Sequence, residues 1–284
     1  MGNYRIPLKG FDGVVARIVT SNDGGPIRRI INGRSRRPTG TFTSLKAGGR
    51  AMPHESVEGE RYAMWIAETA TSVRKMLAQP HRLEIKVSSR SEPLKYYPDL
   101  LLEMDEAAAT RMAGRQHFSQ AVFAAPGNRG GDWTKSVVLE IKTKSDRRME
   151  DADYRLKLRL ARKVYEGLGV VFAVVQAETD LLAPDPSAVK RIVMNRHVAI
   201  DSRDIEIATS RVEDGPVPLV DLAASLGSGH HGMSKAFALH VRRVISIDLT
   251  RPLTTLTAVH RIYRTWASRT PASPVWPIER FVEI

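Results

Sequence analysis

Apolar and polar positions alternate clearly enough along the middle of the chain to predict strands. Leu83-Glu-Ile-Lys-Val87 alternates residue by residue, Tyr96-Tyr-Pro-Asp-Leu-Leu-Leu102 is a strand opened by proline, and Val137-Val-Leu-Glu-Ile-Lys142 is a third. Val170 to Val175 is a continuous apolar run, which reads as a buried strand. Helical spacing appears in two places. Val57, Tyr62, Met64-Trp65-Ile66, Val73 and Leu77 recur at three- and four-residue steps, with Glu58 to Ala70 free of proline, and Asp151 to Gly167 is a charged stretch rich in Leu, Arg and Lys. Residues 103–134 mix Ala, Gly and polar groups, include the turn-prone Pro126-Gly-Asn-Arg-Gly-Gly131, and read as an insertion. Strands followed by a helix and a further apolar strand predict a mixed α/β sheet flanked by helices.

The two flanks read differently. Residues 1–50 carry ten Lys and Arg against two acids, Asp12 and Asp23, with glycine and proline breaking the periodicity, and are expected to form an irregular basic arm. Its densest part, Arg28-Arg29-Ile-Ile-Asn-Gly-Arg34-Ser-Arg36-Arg37, either adds phosphate affinity or faces water as a short hairpin. Pro184 and Pro186 mark a linker. Beyond it, Pro218 to Leu226 and Met233 to Arg243 predict two short helices around Gly227-Ser-Gly, followed by a strand over Val244-Ile-Ser-Ile-Asp-Leu249. That is the outline of a small, mainly helical, winged-helix-like domain over 183–284, behind a central domain over 51–182.

Composition narrows the chemistry. Among 284 residues, 43 Lys and Arg against 31 Asp and Glu leave a net charge of +12, which suits a polyanion such as nucleic acid. The absence of cysteine excludes disulfides, thiolate metal sites and cysteine nucleophiles, and agrees with a reducing cytoplasm. Any metal must therefore sit on oxygen or nitrogen. The apolar run from Gly169 to Val175 is too short to span a bilayer, so a soluble cytoplasmic chain is expected. Gly127 to Gly131 lacks the Lys-Ser/Thr of a phosphate loop, which argues against nucleotide hydrolysis.

The sharpest candidate site is an ordered set of acids and one lysine: Glu60 on the first helix, Asp99 near the start of a strand, and Glu140 with Lys142 on the next. Magnesium prefers hard oxygen ligands, and strand alternation puts Glu140 and Lys142 on one face while Leu139 and Ile141 take the other. A metal ligand would thus stand beside an ammonium group that can orient a nucleophile. Glu84-Ile85-Lys86 has the same local form; only the second triplet follows Pro98-Asp99. His54 is expected near the surface or at a helix start, and Glu55 and Ser56 fit a helix N-terminus. Gln79 reaches the site or simply makes a turn with Pro80, and Lys144 shares the Lys142 face if that strand continues. His230-His231 reads as a flexible polar loop, Trp133, Trp266 and Trp276 as packing or terminal anchors, and His240, Arg242 and Arg243 as compatible with a phosphate-facing edge.

Through Pro98-Asp99 and Glu140-Ile-Lys142 the sequence resembles the PD-(D/E)xK nucleases, and more narrowly the TnsA-type endonuclease subunits of heteromeric transposases. The narrower likeness rests on Thr43-Ser-Leu-Lys46, Glu55-Ser56 before Glu60-Arg61, Gln79-Pro80, Tyr97-Pro-Asp99 and Val138-Leu-Glu-Ile-Lys142, over roughly residues 40–180. Glu58 rivals Glu60 here, because the family reads Glu-Ser-x-x-Glu and this chain has one residue more. The resemblance implies a restriction-endonuclease-like core with Glu60, Asp99 and Glu140 as magnesium ligands, manganese being a possible substitute, and Lys142 orienting the attacking water. It also implies cleavage of one DNA strand at transposon ends alongside a TnsB-like transposase and a TnsC-like ATPase regulator. A stand-alone restriction or repair nuclease, and an inactive DNA-binding scaffold, are the competing expectations.

Overall fold

The computed structural model describes residues 3–7, 15–28, 30, 39–87, 91–124 and 134–262. The chain runs β1 (Asn3–Pro7), β2 (Val15–Val19), β3 (Gly40–Ser44), β4 (Arg50–His54), a π-helical turn (Val57–Arg61), α1 (Tyr62–Thr69), β5 (Val73–Ala78), β6 (Arg82–Lys86), β7 (Leu94–Tyr96) and β8 (Leu100–Asp105). It continues with α2 (Glu106–Ala113), α3 (Phe118–Phe123), β9 (Thr134–Lys142), a 3-10 turn (Arg147–Glu150), α4 (Ala152–Gly167), β10 (Val171–Gln176) and α5 (Ala177–Asp180). The last part comprises α6 (Pro186–Asn195), α7 (Ser202–Arg211), β11 (Val217–Pro218), α8 (Leu219–Leu226), α9 (Gly229–Val241), β12 (Ile245–Ile247) and β13 (Ala258–Arg261). The protein is mixed α/β with several sheets, and the described residues form no barrel.

Two four-stranded sheets carry the central body, in the orders β10-β9-β8-β5 and β1-β2-β6-β7. Among the described residues, only β9 and β10 pair in parallel. The strand β9 is buried on both faces, and its alternation divides two apolar clusters: Val137, Leu139 and Ile141 pack towards α1 and α2, while Val138 packs towards α4 and the second sheet. Glu140 and Lys142 follow the parity of Val138 and so face α4. That helix forms where expected. Asp151 caps it by accepting from the Asp153 N–H, and Leu158, Ala161, Val164 and Tyr165 supply its buried stripe. Each such Leu or Val, fully buried, stabilises the fold by about 1.5–3 kcal/mol.

Several sequence expectations change here. The strand expected over 96–102 is two strands in different sheets: β7 ends at Tyr96, β8 begins at Leu100, and Pro98, lacking an N–H, interrupts the ladder between them. Asp99 is nevertheless fixed, since its N–H donates to Leu139 O at 3.2 Å and its carbonyl accepts from Gln79 N at 2.9 Å. Val73 and Leu77 belong to β5, not to the helix, which stops at Thr69 with Ala70 extended. Residues 1–50 are not irregular throughout: β2 pairs along β6, and β3 with β4 makes a hairpin. Local pattern cannot reveal a strand whose partner lies tens of residues away. Arg28 is described, whereas Arg29, Arg34, Arg36, Arg37, the turn Gly127 to Gly131, Trp133, Trp266 and Trp276 lie outside the described residues. The expected insertion is a helical cover, with Ala108, Ala109, Met112 and Phe118 in the main core.

The hairpin β3–β4 anchors α1. Lys46, buried, donates to the carbonyls of Ala67 (2.8 Å) and Ala70 (2.6 Å), which end the helix, while Glu68 accepts from Ser44 Oγ (2.6 Å) and Leu45 N (2.8 Å). Burial pulls the Lys46 ammonium down to about 7. The C-terminal helices pack on the same helix, and one apolar cluster runs through both parts. Arg243, at φ +57°, donates to Thr71 O at 2.5 Å, and Thr71 Oγ1 lies 2.9 Å from Ser246 Oγ. At the edge read as compatible with phosphate or a protein partner, His240 is buried with Nδ1 accepting from Ile247 N, Arg242 donates to the Ala238 and Val198 carbonyls, and Arg243 donates to Thr71 O. His230 and His231 start α9 and are not in a loop. Pro186 likewise opens α6, behind the N-cap Asp185. Among the described residues, no helix is long and apolar enough to cross a membrane.

Candidate active site

The sequence-predicted residues meet where the two sheets join. Ser56 caps the π-helical turn, its Oγ accepting from Gly59 N (3.1 Å) and Glu60 N (2.9 Å). Gly59 is required here, because a Cβ would stand 2.6 Å from Ser56 Oγ and 3.3 Å from Ile141 Cγ2. The turn is thereby pressed against β9, with Glu60 beside the strand and its Oε2 accepting from Glu55 N at 2.9 Å. Glu58 points into solvent and does not enter the site. Asp99 leans on β9 from the other side: Oδ2 accepts from Ile141 N at 2.7 Å, and Gln79 Nε2 stands 3.5 Å from Oδ1. Gln79, at φ +47°, thus both turns the chain and touches the site.

On β9 itself, Glu140 and Lys142 are nearly fully buried and in contact, Nζ to Oε1 at 2.6 Å. Residues outside the sequence-predicted set complete the arrangement. Tyr96 Oη donates to Glu140 Oε2 at 2.7 Å, and Tyr154 of α4 donates to Oε1. Asp146 accepts from Lys142 Nζ at 3.0 Å and is gripped by the Arg148 guanidinium, while the Lys142 ammonium lies 4.5 Å from the Tyr154 ring centroid. A carboxylate four residues past Lys142 is a signal present in the sequence; the two tyrosines have none, since each depends on packing between separate elements. His54, expected near the surface, is buried at the end of β4, and Lys144 leaves the strand face because β9 stops at Lys142. Glu55 pairs with Arg28 at 3.1 Å.

The electrostatics of these acids are unbalanced. Burial, then the backbone of Glu55 opposing it, then the charges of Glu55 and Glu140 bring the Glu60 carboxyl to about 7. Burial, followed by the charges of Glu140 and Glu60, pushes Asp99 well above the usual aspartate range. Asp146 behaves oppositely: burial would raise it, but hydrogen bonds from Arg148 and Lys142 hold it low. Three acids thus repel one another beside a buried ammonium, and a cleft of about 290 Å³ opens onto two of them, Asp99 and Glu140, lined also by Arg28, Lys95, Tyr97, Arg148 and Lys157. In ligand type and charge this donor set fits a hard divalent cation. Among the described residues, no group of three His, Asp or Glu side chains is placed so that it could hold a metal ion. The arrangement can place charge, orient a water and hold a proton at a carboxylate beside an anionic substrate.

No protein-family model matches this chain, and no curated protein matches it.

Proposed function

We propose that the chain is a magnesium-dependent endodeoxyribonuclease of the PD-(D/E)xK type, acting as the TnsA-like subunit that cuts one strand at transposon ends. The observation that carries this reading is the convergence of Asp99 with Glu140 and Lys142 across the junction of β8 and β9, with Glu60 pressed in from the π-helical turn. Glu60, Asp99 and Glu140 would hold the ion, which when bound supplies an activated water and offsets phosphate charge. Tyr96 and Tyr154 fix Glu140 by donating to each of its oxygens. Lys142 donates to Glu140 and Asp146, and in this reading its ammonium acts on the nucleophile through the Glu140 carboxylate that it touches. The α4 side of the site and the second sheet exclude water from the Glu140–Lys142 pair, where charge is worth most.

The C-terminal body is read as winged-helix-like from its order α7, β11, α8, α9, β12, β13 and its sheet β11-β13-β12. With much of α9 buried, this body suits protein docking better than insertion into a DNA groove, in keeping with TnsB-like and TnsC-like partners. The test is magnesium-dependent cleavage of transposon-end DNA by the chain with its transposase: Asp99→Ala and Lys142→Ala should each abolish it in folded protein. Unchanged cleavage by either variant refutes the assignment, and strong cutting of plain DNA by the isolated chain favours a stand-alone nuclease.

A further inference from the structure

The cations around the cleft are not equivalent. Arg28 is paired with Glu55 and lies over the Tyr97 ring, and Arg148 is locked to Asp146. Lys95, exposed on β7, and Lys157, half-buried on α4, also line the cleft, and neither has a carboxylate partner among the described residues. Lys157 lies one helical turn after Tyr154, on the face of α4 that reaches Glu140. Lys95 directly precedes Tyr96, which reaches Glu140 from the opposite sheet. Alternation along β7 sends Lys95 to the face opposite Tyr96, whereas Lys157 shares the helix face of Tyr154; both lysines line the cleft, one from each element at its mouth.

A polyanion approaching Glu60, Asp99 and Glu140 is repelled by their charge, and cations already paired with acids offset little of that repulsion. We infer that Lys95 and Lys157 are a phosphate clamp: each neutralises one backbone phosphate of the DNA strand entering the cleft, on either side of the phosphodiester presented to Asp99 and Glu140. The clamp rests on the nuclease reading for its substrate, but binding and cutting are separable. It reads no sequence, since contacts to phosphate position the duplex without distinguishing bases.

The test titrates the full-length chain against a fluorescein-labelled DNA duplex in EDTA over a series of KCl concentrations. Lys95→Gln and Lys157→Gln should each reduce the slope of log affinity against log salt by about 0.9, and the double variant by about twice that, equally on unrelated sequences. Lys157→Arg should keep the parent slope. A double variant with an unaltered slope, or no duplex binding by the parent chain, overturns the clamp. Asp99→Asn, assayed in parallel with magnesium, addresses the nuclease reading separately: if it still cuts, that reading fails while the lysine slopes stand or fall by themselves.

Discussion

Glu84-Ile85-Lys86 on β6 and Glu140-Ile141-Lys142 on β9 share composition and alternation, yet the first acid and base are separated and the second pair is held together. Glu84 is taken by Arg17 (2.5 Å) and Arg82 (2.7 Å), both from the same sheet, and Lys86 is left exposed at the strand end. Glu140 and Lys142 lie under α4, where Tyr154 and the Asp146 turn close over them, and Asp99 stands on the neighbouring backbone. The first cluster, a buried carboxylate held by two part-exposed guanidiniums, ties β2 to β6 and, among the described residues, pairs no lysine with Glu84. The second keeps charge in a place where water does not screen it. Chemistry is therefore decided by what covers the triplet, not by the triplet.

On the proposed nuclease reading, cutting activity would separate the two most sharply. Asp99→Asn or Lys142→Ala should lower magnesium-dependent cleavage by about a hundredfold or more, whereas Lys86→Ala leaves it within about twofold, measured as rates on the same DNA. Stability against pH comes next. Because Glu60 titrates near 7 in the folded chain against an ordinary 4.5, the folded state holds more protons than the unfolded one between those values. Metal-free protein should lose stability as pH rises through that window, and Asp99, also raised, adds to the loss. Glu60→Gln should flatten the profile in thermal melts. Magnesium at a hundredfold excess over its Kd should restore about 2.7 kcal/mol at the alkaline end, and a melt insensitive to magnesium there would count against the ligand set.

Tyr154→Phe removes a hydrogen bond to a buried carboxylate and should cost about 1.5–3 kcal/mol in denaturant unfolding, with reduced cleavage. The smallest effect on cleavage belongs to the β6 triplet: Arg17→Ala takes one of two guanidinium partners from the buried Glu84, should cost about 1–3 kcal/mol and leave the cleavage rate per folded molecule unaltered.

Much of the central body is legible in the sequence because its signals are local. The alternation of β9, the stripe and cap of α4, and Ser56 before Glu60 are all readable over a few residues, and order along the chain distinguishes Glu140 from Glu84. What escapes is whatever depends on distant partners. The strand β2 exists because β6 is there to pair with it, Tyr96 matters because the break at Pro98 delivers Asp99 to a different sheet, and Arg242 and Arg243 turn inward onto carbonyls that no spacing foretells. Basic composition predicts a polyanion partner, but it does not say which cations are already occupied.

The seam at Tyr97-Pro98-Asp99 also bears on how the molecule can be shortened. Tyr96, which steadies Glu140, belongs to a sheet that the chain begins to assemble with β1 and β2, so deleting the first twenty or so residues strips a neighbour from β6 and loosens the mount of a side chain far downstream. A trimmed fragment drawn around the acids and the lysine alone would keep every atom of the candidate site and lose the scaffold that aims them.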